Sequence, residues 1–86
     1  MTKMDTTQMV TEVYSAEVDD RRAVEVFLDN HGEYWVGLTL IRDPKDWEFH
    51  PKEQYGVGET GERLAVDAAN RWASGLRLDA RWMALR

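Results

Sequence analysis

AVEVFLDNHGEYWVGLTL, residues 23–40, holds two alternating apolar runs about one turn. Val24, Val26 and Leu28 fall on one side of an extended chain before the turn, and Tyr34, Val36, Leu38 and Leu40 do so after it. Period-two alternation of β-branched and aromatic residues marks a half-buried strand. Between the two runs stands DNHG, residues 29–32. Asp29 suits the first position of a type I turn, and Gly32 can take the left-handed conformation that follows it. The connection is therefore read as a three-residue hairpin loop with a glycine bulge. Such a turn sets Asp29 opposite Glu33, Leu28 opposite Tyr34, Phe27 opposite Trp35 and Val26 opposite Val36. Each even-numbered apolar residue then meets another, so turn chemistry and hydrophobic pattern specify the same register.

On the N-terminal side of the hairpin, MVTEVYSAEV (9–18) predicts a preceding strand with Val10, Tyr14, Ala16 and Val18 on one face and Glu12 as the exception. A turn at DDRR (19–22) joins it to the hairpin. Facing Val18 with Val24 aligns the even faces and sets Glu17 opposite Glu25, although no glycine pins this register. On the other side, RDPKD (42–46) reads as a turn favoured by Pro44. WEF (47–49) adds a short fourth strand with Trp47 and Phe49 on one face, and Pro51 stops it or confines it to an edge. EQYGVGETG (53–61) reads as loop. A helix follows, with Thr60 as N-cap and Glu62 in its positive first turn. Ala65, Ala68, Ala69, Trp72 and Ala73 form its apolar stripe, and Gly75 is the expected C-terminal cap. In LRLDARW (76–82), Leu76, Leu78, Ala80 and Trp82 alternate with Arg77, Asp79 and Arg81, which predicts a last strand; Leu78, Trp82 and Leu85 also fit a short helix. The expected organisation is a flexible tail over 1–8 and one domain over 9–86. Its fold class is α+β: an antiparallel meander of three or four strands, one helix on its apolar face and a C-terminal strand, in two layers.

Composition narrows the function. A chain of 86 residues makes one domain with a modest core. Sixteen acids against 11 bases leave a formal charge of −5, which argues against direct nucleic-acid binding. The same charge suits a basic protein partner, and it also keeps a small domain soluble. The absence of cysteine excludes disulfides, zinc–thiolate sites and thiol chemistry and fits a reducing cytoplasm. MTKMDTTQ holds no apolar run of the signal-peptide kind, and no stretch approaches the roughly 18 apolar residues of a membrane span.

GVGETG (56–61) matches the G-x-G-x-x-G spacing of a dinucleotide-binding loop, and Asp79 stands where such a fold places an acid for the ribose. The motif works when a buried parallel strand ends in the glycine turn and more parallel strands follow. FHPKEQY (49–55) is too polar for that strand, and only seven residues follow Asp79. The expected roles are structural: Gly56 and Gly58 in a loop, Thr60 as cap, Gly61 in the first turn. A small-ligand or nucleotide site at this helix start is the alternative reading.

No catalytic constellation emerges, and the chain is expected not to be an enzyme and to need no metal or cofactor. His31 and His50 are the only histidines, too few without cysteine for a zinc site. Ser15 and Ser74 lack a nucleophile-elbow context. Glu17 and Glu25 form a carboxylate pair in the expected register, but an open sheet face leaves both ionised.

The odd-numbered face is the candidate site. With the even face under the helix, Phe27 and Trp35 stand side by side facing outward, rimmed by Glu17, Glu25, Asp29 and Glu33, with Gly37 and Thr39 continuing the surface. An aromatic centre with an acidic rim is the pattern of a partner-binding patch. The expectation is a small acidic protein-binding module, monomeric or homodimeric, whose partner has a basic surface. In size and charge alone the chain is similar to small acidic inhibitors of the anti-CRISPR and anti-restriction kind, products of phages and plasmids. That similarity implies occupation of a basic nucleic-acid groove on another protein. A self-associating accessory subunit is a further alternative.

Overall fold

A computed structural model describes residues 8–43 and 45–84, with side-chain surroundings given through residue 78. Residues 1–7 of the expected tail, Pro44 of the expected turn and Leu85 of the alternative short helix lie outside it. Four strands, β1 (Met9–Asp19), β2 (Arg22–Asp29), β3 (Glu33–Asp43) and β4 (Asp46–Val57), are followed by one helix, α1 (Gly58–Ala84). The strands form one antiparallel sheet in the order β1-β2-β3-β4, and α1 packs across one face. The fold is thus the two-layer α+β meander with a helix on its apolar face.

The central hairpin has the register set by its turn: Phe27 pairs with Trp35, Val26 with Val36 and Leu28 with Tyr34. Gly32 takes φ +82°, the left-handed conformation that a side chain disfavours. Asp29 holds the loop through its side chain, whose Oδ1 accepts the backbone N–H of His31 at 2.8 Å and of Glu33 at 2.9 Å. Val24, Val26 and Val36 are completely buried beneath Ala65, Ala69 and Ala73. Each such valine contributes about 1.5–3 kcal/mol of burial, and the alanines let the helix approach closely enough to collect it.

The β1–β2 register departs from expectation. Ala16, not Val18, faces Val24, and Ser15, not Glu17, faces Glu25. The turn is tighter than one that would pair Val18 with Val24, because Asp19 organises it. The Asp19 carboxylate accepts the Arg21 N–H at 2.8 Å and pairs with Arg22 at 3.0 Å, so Asp19 faces Arg22 directly. Farther along, the ladder shifts between Glu12 and Tyr14. This bulge at Val13 reverses the alternation, and Glu12, the exception in the pattern, lands opposite Phe27 on the face away from the helix.

β4 is longer than a three-residue strand and includes most of the stretch read as loop, through Val57. It is the edge strand, where Pro51 needs no ladder donor. The ladder skips Lys52: Pro51 pairs with Gly37, and Glu53 with Val36. Gly37 is required there, because a Cβ would lie 2.2 Å from the His50 carbonyl oxygen.

The helix is also longer than expected. It begins at Gly58, so Thr60 lies within its first turn and is not the cap, and it runs through Gly75 to Ala84. LRLDARW is therefore helical and not a strand. Alternation would bury Leu76 and Leu78 together, whereas the helix continues the stripe of residues 65, 69, 72 and 73 to Leu76 and turns Leu78 outward, 53% exposed. The Arg77 guanidinium donates to the Glu17 carbonyl at 2.7 Å, fastening the segment beyond Gly75 to β1. Gly75 costs the helix about 1 kcal/mol relative to alanine but does not end it.

Candidate functional site

The candidate site is the sheet face opposite α1. Its shape follows from three local departures from a flat ladder. The Val13 bulge adds Glu12 to the face. Gly37 leaves the centre of β3 without a side chain, and Phe27 of β2 meets Phe49 of β4 across it, with ring centroids 4.4 Å apart. The hairpin turn leaves Asp29 Oδ2 free to accept the Trp35 indole N–H at 2.8 Å.

Glu25 is the unusual member. The residue is nearly buried, at 7% exposure, and its carboxyl accepts the hydroxyl of the fully buried Thr39 at 2.5 Å. Glu12, Glu25, Thr39, Ile41 and Trp47 together line a concavity of about 260 Å³. Burial, then repulsion from Glu25 and a hydrogen bond with it, push the Glu12 carboxyl above the ordinary glutamate range. Two acids thus share one hollow whose wall is the indole of Trp47, itself 51% exposed. Chemically, the hollow suits a positive charge: a cation would relieve the carboxyl repulsion and lie against an aromatic face.

The six residues singled out from the sequence are distributed unevenly. Phe27 and Trp35 are adjacent and half-buried, and both are engaged, with Phe49 and Asp29 respectively. Asp29 is buried at 4% exposure and its oxygens are occupied by the turn and the indole. Burial pushes its carboxyl upward, but the Glu33 N–H, the Trp35 indole, the His31 N–H and the nearby His31 ring outweigh this and hold it below the ordinary aspartate range. Glu33 is half-buried at the hairpin end, and Glu17 is exposed opposite Ala23 and not opposite Glu25. The carboxyl partner of Glu25 is Glu12. Its break in the alternation was the available signal, because an acid on an apolar face invites a bulge. Trp47, Phe49 and Ile41 complete the face. WEF pointed to the first two without showing which face they share.

GVGETG has a tight geometry. β4 does run directly into it, with Gly56 and Gly58 at φ +85° and +71°. Gly61 is buried, and a Cβ there would lie 2.7 Å from the Gly56 carbonyl, so the glycines let the helix start against the strand it leaves. That strand is an antiparallel edge, unlike the buried parallel strand of a dinucleotide fold. His31 lies in the turn, and His50 pairs with Glu48 at 3.6 Å. Among the described residues no group of three or more His, Cys, Asp or Glu is placed to hold a metal, and no helix is long and apolar enough to cross a membrane. Compared with known proteins, the chain matches no family model, no curated protein and no solved structure.

Proposed function

We propose that this chain is a non-enzymatic protein-binding module whose helix-free sheet face receives a basic partner. The observation that carries the reading is the acidic hollow beside Trp47, on a face that no described segment covers. A lysine or arginine of the partner would enter between Glu12 and Glu25 and stack against Trp47, with Ile41, Phe27 and Phe49 as the apolar surround. Buried charge contacts flanked by aromatics are the usual anchors of such interfaces. The net charge of −5 would steer the encounter. A specific version is an inhibitor that occupies the basic nucleic-acid groove of a host protein.

The test is affinity capture from nuclease-treated lysate at low and high salt, with Glu12→Lys/Trp47→Ala as control. A basic nucleic-acid-binding protein, held by wild type, released by salt and missed by the variant, supports the reading. An empty wild-type lane, or equal capture by the variant, overturns it.

A further inference from the structure

On the other side of the sheet, a cleft of about 410 Å³ separates the second half of α1 from β3 and β4. Leu38, Trp72, Gly75, Leu76 and the exposed Lys52 line it. The volume lies within the range of small-molecule pockets, roughly 300–1,000 Å³. Three observations give it a ligand chemistry. First, Gly75 serves neither of the usual purposes of a glycine in a helix. It is not a cap, because α1 continues to Ala84, and it admits no close neighbour, because nothing lies within 4 Å of where its Cβ would be. It leaves the cleft open at a cost in helix propensity. Second, Leu38, Trp72 and Leu76 border the core but stay only half-buried, so an apolar wall faces the space. Third, Lys52 follows two residues after His50, which pairs with Leu38, so alternation along β4 places it on the helix side, where it lines the cleft. It has no ion-pair or hydrogen-bond partner among the described residues, in a chain that is otherwise acidic.

We infer that this cleft binds a small amphipathic anion: an aliphatic or aromatic body against Trp72 and Leu76, with its carboxylate on Lys52. The site is independent of the sheet face proposed for the protein partner.

The test uses decanoate as probe, below its micellar concentration, followed through the Trp72 indole N–H resonance, with decanol as the uncharged comparison. Decanoate shifts the Trp72 signal saturably, and decanol binds about tenfold more weakly. Lys52→Gln removes that preference. Gly75→Ala raises the thermal midpoint by about 4–8 °C and still binds. Gly75→Leu fills the cleft, remains folded by circular dichroism and no longer binds. No saturable shift, equal affinity for decanoate and decanol, or undiminished binding by Gly75→Leu would overturn the proposal. So would light scattering showing that a second copy of the chain takes the cleft instead.

Discussion

Replacing Asp29 by alanine should unfasten the central hairpin. Its carboxylate receives three hydrogen bonds of 2.8–2.9 Å, from the His31 and Glu33 N–H groups and the Trp35 indole, at a site only 4% exposed. A hydrogen bond to a charged group contributes about 1.5–3 kcal/mol. The three are coupled, and water reaches the loop once the carboxylate is gone, so the sum is discounted to about 3–5 kcal/mol. A chain of this length has roughly 4–13 kcal/mol of stability in total. Urea denaturation should therefore show a large loss, and the thermal midpoint should fall by at least about 10 °C. Asp29→Asn keeps an acceptor for the turn but presents an amide N–H to the indole N–H, so about half the loss is expected. The pH dependence follows from the lowered carboxyl. Its stabilisation is fully present above the ordinary aspartate range and is lost as pH falls through the lower value of the folded state. The acid limb of stability should accordingly be flatter in Asp29→Asn. An alanine variant within about 0.5 kcal/mol of wild type would refute this account of the turn.

Substitutions at three further positions probe the same face. Gly37→Ala would bring a methyl to 2.2 Å from the His50 carbonyl, so β4 must separate locally, with a loss of about 3 kcal/mol or more; an unchanged melting curve would contradict this. Thr39→Val takes the hydroxyl from the buried Glu25 carboxyl and should cost about 1–3 kcal/mol in urea denaturation, with Thr39→Ser nearer wild type; equal stability of the two would count against the bond. Glu12 has a raised carboxyl, so the folded state holds its proton more tightly, and this contribution to stability falls as pH rises through the window above the ordinary glutamate range. Glu12→Gln should remove that slope above the ordinary glutamate range, and a slope that persists in the variant would assign it to other groups.

The central hairpin was legible because two independent signals coincide there: the DNHG turn and the even-numbered apolar residues each specify the Phe27–Trp35 register. The β1 register was not, because its turn is fixed by the Asp19 side chain, and a shift of two residues preserves the alternation. The strand expected over 76–82 failed for a related reason. Leu76 satisfies both periods, and only the outward position of Leu78 distinguishes them. At the candidate site, Phe27, Trp35 and Glu25 were readable from the hairpin alone. Glu12, Ile41, Trp47 and Phe49 depend on a bulge and on the pairing of β4, which are long-range features that local pattern does not encode.

The tryptophans provide the most direct test of the partner-binding claim, because Trp35 and Trp47 lie on the helix-free face while Trp72 lies against the cleft on the other side. The measurement is the shift of their indole N–H resonances when the captured partner is added to labelled protein. The account predicts that Trp47 and Trp35 move while Trp72 keeps its position. Movement of Trp72 with Trp35 and Trp47 unchanged would contradict it and place the interface on the opposite side of the sheet.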